Sequence, residues 1–135
     1  MAAGYSGTPL ARKLGIGDGT RVLLVGAPRE LDLELPDGIR PVLHRRRGAG
    51  DYQVVLLFAP DERTLRARFA GLVPDVTTAG ALWVCWPKRT GAMASDLSER
   101  AVRDHGLSIG LVDVKVAAVD PIWSALKFVR RSSDR

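Results

Sequence analysis

The sequence predicts an α/β protein: a mostly parallel sheet of about six strands, helices on both faces, and an antiparallel hairpin at the C-terminus. Three observations carry this. Apolar runs of strand length at 21–25, 54–58 and 80–86 lack the polar alternation of half-exposed strands, so both of their faces are covered, as in central parallel strands. Helical patterns alternate with those runs, the order that builds a parallel sheet. The last two runs, 111–119 and 123–130, are joined by a short stretch containing Asp120-Pro121, which allows only antiparallel pairing.

Each element has its own signal. Thr8 as cap, Pro9 at the first helical position, Leu10 and Leu14 on one face and Gly15 as stop predict a helix of about two turns. Residues 21–25 are the first strand. Residues 28–38 fit a period of two through Leu31, Leu33 and Leu35, yet Leu31 and Leu35 also fit a helical turn, and we read a short crossover helix. Residues 39–43 form a second strand that Pro41 confines to a sheet edge. The run Arg45-Arg46-Arg47-Gly48-Ala49-Gly50 is a loop. After the strand at 54–58, residues 61–72 are a helix with Leu65, Phe69 and Leu72 in one stripe. A further helix begins near Ser95 and Asp96, with Asp96 and Glu99 resembling a capping box and Gly106 at its end.

Composition bounds the function. The chain has 135 residues, 46% hydrophobic and 26% charged, within the range of one soluble domain spanning 1–135, with an N-terminal arm and short helix at 1–20 and a polar tail at 132–135. No stretch approaches the length of a membrane span. Arg12 and Lys13 lead into Gly15-Ile16-Gly17-Asp18-Gly19 instead of an apolar core, so no signal peptide is expected, and the single cysteine, Cys85, agrees with a cytoplasmic location. His44, His105 and Cys85 lack metal-ligand spacing, so no metal is expected. A net charge of +5 suits a small anionic ligand. No helix is strongly basic along one face, which places nucleic acid last among partners. The exposed edge of the terminal hairpin suits pairing into a homodimer.

The order of elements resembles the Rossmann-like fold of class I S-adenosylmethionine-dependent methyltransferases. Residues 51–58 look like their fourth strand, Ala79-Gly80-Ala81-Leu82-Trp83-Val84 like their fifth and residues 111–130 like their terminal hairpin, with one of seven strands missing. A resemblance covering nearly the whole chain is to an uncharacterised, largely actinobacterial family of the DUF3052 type. It rests on Gly4-Tyr5-Ser6-Gly7-Thr8-Pro9-Leu10, Lys13-Leu14-Gly15-Ile16, Val25-Gly26-Ala27-Pro28, Leu82-Trp83-Val84-Cys85-Trp86-Pro87-Lys88, Asp96-Leu97, Gly110-Leu111-Val112-Asp113-Val114-Lys115-Val116 and Trp123-Ser124-Ala125-Leu126-Lys127. It implies a bacterial protein and brings no established activity.

The methyltransferase resemblance implies a glycine-rich turn after the first strand and an acidic residue after the second. Here the turn is Gly26-Ala27-Pro28, where proline donates no N–H, and the second strand ends at His44-Arg45-Arg46-Arg47. The cofactor motif is therefore degraded, and the expectation is no cofactor, with S-adenosylmethionine kept as the alternative.

Ligands of open α/β sheets bind beyond the carboxyl ends of the strands. That rim gives the candidate binding residues Gly26, Ala27, Pro28, Arg45, Arg46, Trp86, Lys88 and Arg89, an aromatic and several cations suited to a ring and an anionic group. No Ser-His-Asp arrangement, P-loop or catalytic carboxylate pair is visible, so no catalytic residue is assigned. The reading that results is a non-enzymatic binding or regulatory protein holding an anionic ligand or partner at that rim. The alternatives are a divergent methyltransferase or other nucleotide-using transferase, and an assembly module. Two local features read as structural: Cys85 as a buried thiol, and Tyr5-Ser6-Gly7 as a plain N-terminal arm.

Overall fold

The computed structural model describes residues 7–135, so the reading of Tyr5-Ser6 lies outside the described residues. Six strands form one sheet in the order β2-β1-β3-β4-β6-β5. They are β1 (Arg21–Val25), β2 (Val42–His44), β3 (Tyr52–Phe58), β4 (Val76–Pro87), β5 (Leu111–Ala118) and β6 (Trp123–Arg130). β2, β1, β3 and β4 run parallel, while β6 pairs antiparallel with both β4 and β5. This is the mixed α/β sheet with a terminal hairpin that the runs at 111–119 and 123–130 predict.

Two 11-residue helices, α2 (Glu62–Leu72) and α3 (Glu99–Ile109), cover one face. Leu65, Phe69, Leu72 and Val102 pack there on Val55, Leu57, Leu82, Leu126 and Phe128. Asp61 caps α2, its side chain accepting from the Thr64 N–H, and that bond holds its carboxyl below the usual range. The other face is covered by α1 (Leu10–Lys13) and the connection that follows β1, around Leu24, Val54, Trp83 and Cys85. Burial pushes the Cys85 thiol far up, so it is inert at neutral pH.

Four expectations need correction. The connection at 28–38 is not a helix: it is irregular, with turns at 29–30 and 37–38 and Glu34 in the left-handed region at φ 55°, and it is tied down where the Leu33 carbonyl accepts from the Ala11 N–H at 2.6 Å and Glu34 Oε1 accepts from the Leu10 N–H at 2.8 Å. Of the three leucines only Leu33 is buried and Leu35 is exposed, so the segment forms neither a helical stripe nor a strand with one apolar face. The first helix is a single turn with Pro9 at its N-cap. β2 begins at Val42, because Pro41 has no N–H to donate to the ladder.

The start and end of α3 also differ from expectation. Ser98 is its cap, through the Ala101 N–H, and Gly110, in the left-handed region at φ 103°, ends it. Gly106 lies inside the helix against Phe128, where a Cβ would overlap the ring. Asp96 instead accepts from the Glu62 N–H, which adds a second acidic acceptor to the N-terminus of α2.

Candidate functional site

Strand order fixes where a ligand can sit. The connection from β1 leads to β2 across the α1 face, whereas the connection from β3 leads through α2 to β4 on the opposite face. Neighbouring connections that depart in opposite directions leave a crevice between β1 and β3, the switch point at which doubly wound sheets bind. Gly26 stands at that crevice with φ 69°, and a Cβ on it would lie 3.2 Å from the Phe58 carbonyl oxygen. Only glycine meets both conditions without strain, so the residue is fixed by the turn as well as by contact.

Around the crevice, the structure brings together Gly26, Ala27, Pro28 and Arg45. Arg45 Nη1 lies 3.4 Å from the Ala27 carbonyl oxygen. Ala59, at the end of β3, is buried and donates to the Cys85 carbonyl, and beyond it Ser95 Oγ donates to the Pro60 carbonyl at 2.8 Å. Arg46 is exposed. Lys88 is half-buried and its N–H donates to the Ile122 carbonyl, while Arg89 is exposed. Trp86 is packed into the core with Leu57, Leu97 and Val102, leaving 5% of its surface exposed.

The arginine run after β2 divides. Arg45 turns to the crevice, but Arg47 pairs with Asp75 at 2.7 Å and reaches the Gly71 carbonyl at the far end of α2. Residues that sequence reasoning missed hold this loop. Tyr52, fully buried, meets His44 Nδ1 at 2.6 Å through its hydroxyl, which also accepts from the Gly48 N–H at 2.7 Å. Arg21 lies over the Tyr52 ring and donates to the Ala49 and Asp51 carbonyls. The only early signal was an aromatic residue placed just after a glycine-rich loop. Among the described residues, no group of three or more His, Cys, Asp or Glu gathers as metal ligands, and no helix is long and apolar enough to cross a membrane.

Sheet order and crevice together define the Rossmann-like fold of class I S-adenosylmethionine-dependent methyltransferases. Magnesium protoporphyrin IX methyltransferase from Synechocystis PCC 6803, with S-adenosylhomocysteine bound, superposes with a TM-score of 0.61 at 13% identity, over 90% of this chain and 78% of its own. A TehB-like methyltransferase from Corynebacterium glutamicum gives 0.54 at 11% identity, over 96% and 91%. An rRNA methylase from Streptococcus thermophilus gives 0.51 at 8% identity, over 92% and 98%. At such identities the likeness is one of fold. No protein-family model and no curated protein matches the sequence, so the DUF3052 resemblance rests on its quoted phrases alone.

One expectation is overturned here. The degraded turn after β1 led to the expectation of no cofactor, yet the Synechocystis enzyme of this fold is seen with S-adenosylhomocysteine and with S-adenosylmethionine. The fold is one that binds this cofactor. Counting glycines misled because the crevice is set by strand order, which a short turn motif does not encode.

Proposed function

We propose that this protein binds S-adenosylmethionine or S-adenosylhomocysteine in the crevice between β1 and β3, as a divergent member of the methyltransferase fold. The observation that carries the reading is Gly26, left-handed and pressed against the Phe58 carbonyl at the switch point. The residues present fit the ligand in part. Gly26 and Ala27 supply backbone N–H groups, and Arg45 supplies a cation for the ligand's carboxylate. Pro28 supplies no N–H, and β2 ends at His44 and Arg45 instead of the acidic residue that would hold ribose hydroxyls. When bound, the cofactor would supply a methyl group on a positively charged sulfur; no catalytic residue is assigned to this chain.

Thermal unfolding with S-adenosylmethionine, S-adenosylhomocysteine and a set of nucleotides and acyl phosphates tests the proposal. A ligand present at 100 times its dissociation constant adds about 2.7 kcal/mol to the folded state. A selective rise with the two adenosyl compounds supports the reading, and a rise with another anion alone refutes it.

That second outcome would favour a regulatory anion site through Arg45, Arg46, Lys88 and Arg89, a reading supported by Arg45 lying beside Ala27. Exposed Val114 and Val116 on the edge strand β5 support pairing with a second copy, which light scattering would detect. The setting we propose is a cytoplasmic, actinobacterial member of the DUF3052-type family.

A further inference from the structure

The sheet face that carries α1 is left open near the starts of β3 and β4. A groove of about 320 Å³ lies there, at the opposite end of the strands from the crevice. Val54 and Ala81 form its floor, Leu14 at the end of α1 one wall, and Lys127 of β6 another. Its volume sits at the lower end of the roughly 300–1,000 Å³ of small-molecule sites.

Two independent features mark the groove as built. The first is a bulge. Tyr52 pairs with Val76 and Val54 with Ala81, so a step of two residues on β3 is matched by a step of five on β4. The additional residues lift out of the ladder at the groove's lip, including Thr77, Ala79 and Gly80, which line it. Gly80 is needed there, since a Cβ would lie 2.7 Å from both the Gln53 carbonyl oxygen and Thr77 Oγ1.

The second feature is charge. Lys127 stands directly opposite Lys115 in the β5–β6 register, so both side chains project from the face that bears the groove. Neither lysine takes part in the ion pairs among the described residues. Lys127 Nζ sits 6.0 Å from the centroid of the Trp83 ring, and that ring is fully buried. Like charges directly opposed across a strand pair destabilise it, so the sheet retains a cation pair at a cost to its own stability. Gln53 lines the same groove with its Oε1 already accepting from the Arg21 N–H, which leaves its amide NH₂ as a donor.

We infer that this groove binds a small amphipathic monoanion, a carboxylate on a short apolar body, with Lys127 pairing the carboxylate and Val54 and Ala81 taking the chain. Lys115 adds to the positive field. The site is independent of adenosyl-ligand binding at the crevice.

Octanoate is the probe, with octanol as its uncharged counterpart, titrated into isotope-labelled protein while backbone amide shifts are followed. Octanoate is expected to move the amides of Gln53, Val54, Ala81 and Lys127 saturably and to leave Gly26 and Ala27 unmoved. Octanol is expected to bind at least about tenfold more weakly. Lys127→Gln is expected to weaken octanoate by about tenfold while raising the melting temperature, because the opposed charge is gone. Ala79→Phe, on the exposed lip, fills the groove with Lys127 intact and is expected to abolish binding. Equal affinity for octanol, shifts confined to residues outside the groove, or octanoate binding untouched by both variants would overturn the inference.

Discussion

The two faces of the sheet are closed by different means. One carries α2 and α3, whose Leu65, Phe69 and Val102 interlock with Leu57, Leu126 and Phe128. The other carries a four-residue helix and an irregular connection in which, from 27 to 41, only Leu33 is buried. Periodic side chains hold the first face, and backbone tethers such as Ala11 to Leu33 hold the second. The contrast shows where binding surfaces arise. The connection out of Gly26 crosses the second face, and the groove beside Lys127 lies on it, because a face without long helices leaves strands reachable.

The contrast predicts unequal costs. Phe69→Ala removes a fully buried ring that meets Phe128 and His105 edge-on and should cost about 3–5 kcal/mol in urea denaturation. Leu33→Ala should cost about 2 kcal/mol, the low end for such truncations, since the irregular connection can settle into the space. Equal losses would erase the distinction between faces. Gly106→Ala comes next, at about 1–3 kcal/mol, because the added methyl would overlap Phe128 in a filled core. A neutral result would mean that α3 shifts freely on the sheet.

Legibility divided along the same line. The strands at 54–58 and 80–86 and the stripe Leu65, Phe69, Leu72 were readable because periodicity reports which face an element buries. The connection at 28–38 was misread because its order comes from partners in α1, about two dozen residues away in sequence, as Glu34 to Leu10 shows. Gly106 looked like a helix stop because glycine serves equally as a terminator and as space for a ring, and only the position of Phe128 tells them apart. At the crevice, Gly26 and Arg45 were legible as residues. Their placement was not, since Arg47 departs toward Asp75 while Arg45 stays.

Gly26→Ala sharpens the account at the crevice. A methyl group at φ 69°, 3.2 Å from the Phe58 carbonyl, should cost about 1–2 kcal/mol, with a larger proportional loss of adenosyl-ligand binding. A variant of unchanged stability and affinity would mean that the turn is not constrained.

The smallest effect concerns pH. His105 faces the space between α2 and α3 beside Glu62, Arg66 and Asp104, and its Nε2 is buried without a partner. Burial first, and then Arg66, lower its pKa below the ordinary value of 6.5, with Glu62 opposing. The unfolded chain therefore takes up a proton that the folded one resists. Stability is full above about pH 6.5 and falls as pH drops below it. Urea midpoints compared at about pH 7.5 and about pH 5.5 should fall for the parent and fall less for His105→Gln. A parallel fall in both proteins would assign the effect to other groups.

The most direct test of the central claim is a titration of S-adenosylmethionine into the isotope-labelled protein, reading backbone amide shifts residue by residue. The account predicts saturable shifts at Gly26, Ala27, Arg45 and Ala59, the residues that border the crevice between β1 and β3. No shift at millimolar ligand, or saturable shifts that spare Gly26 and Ala27, would contradict it.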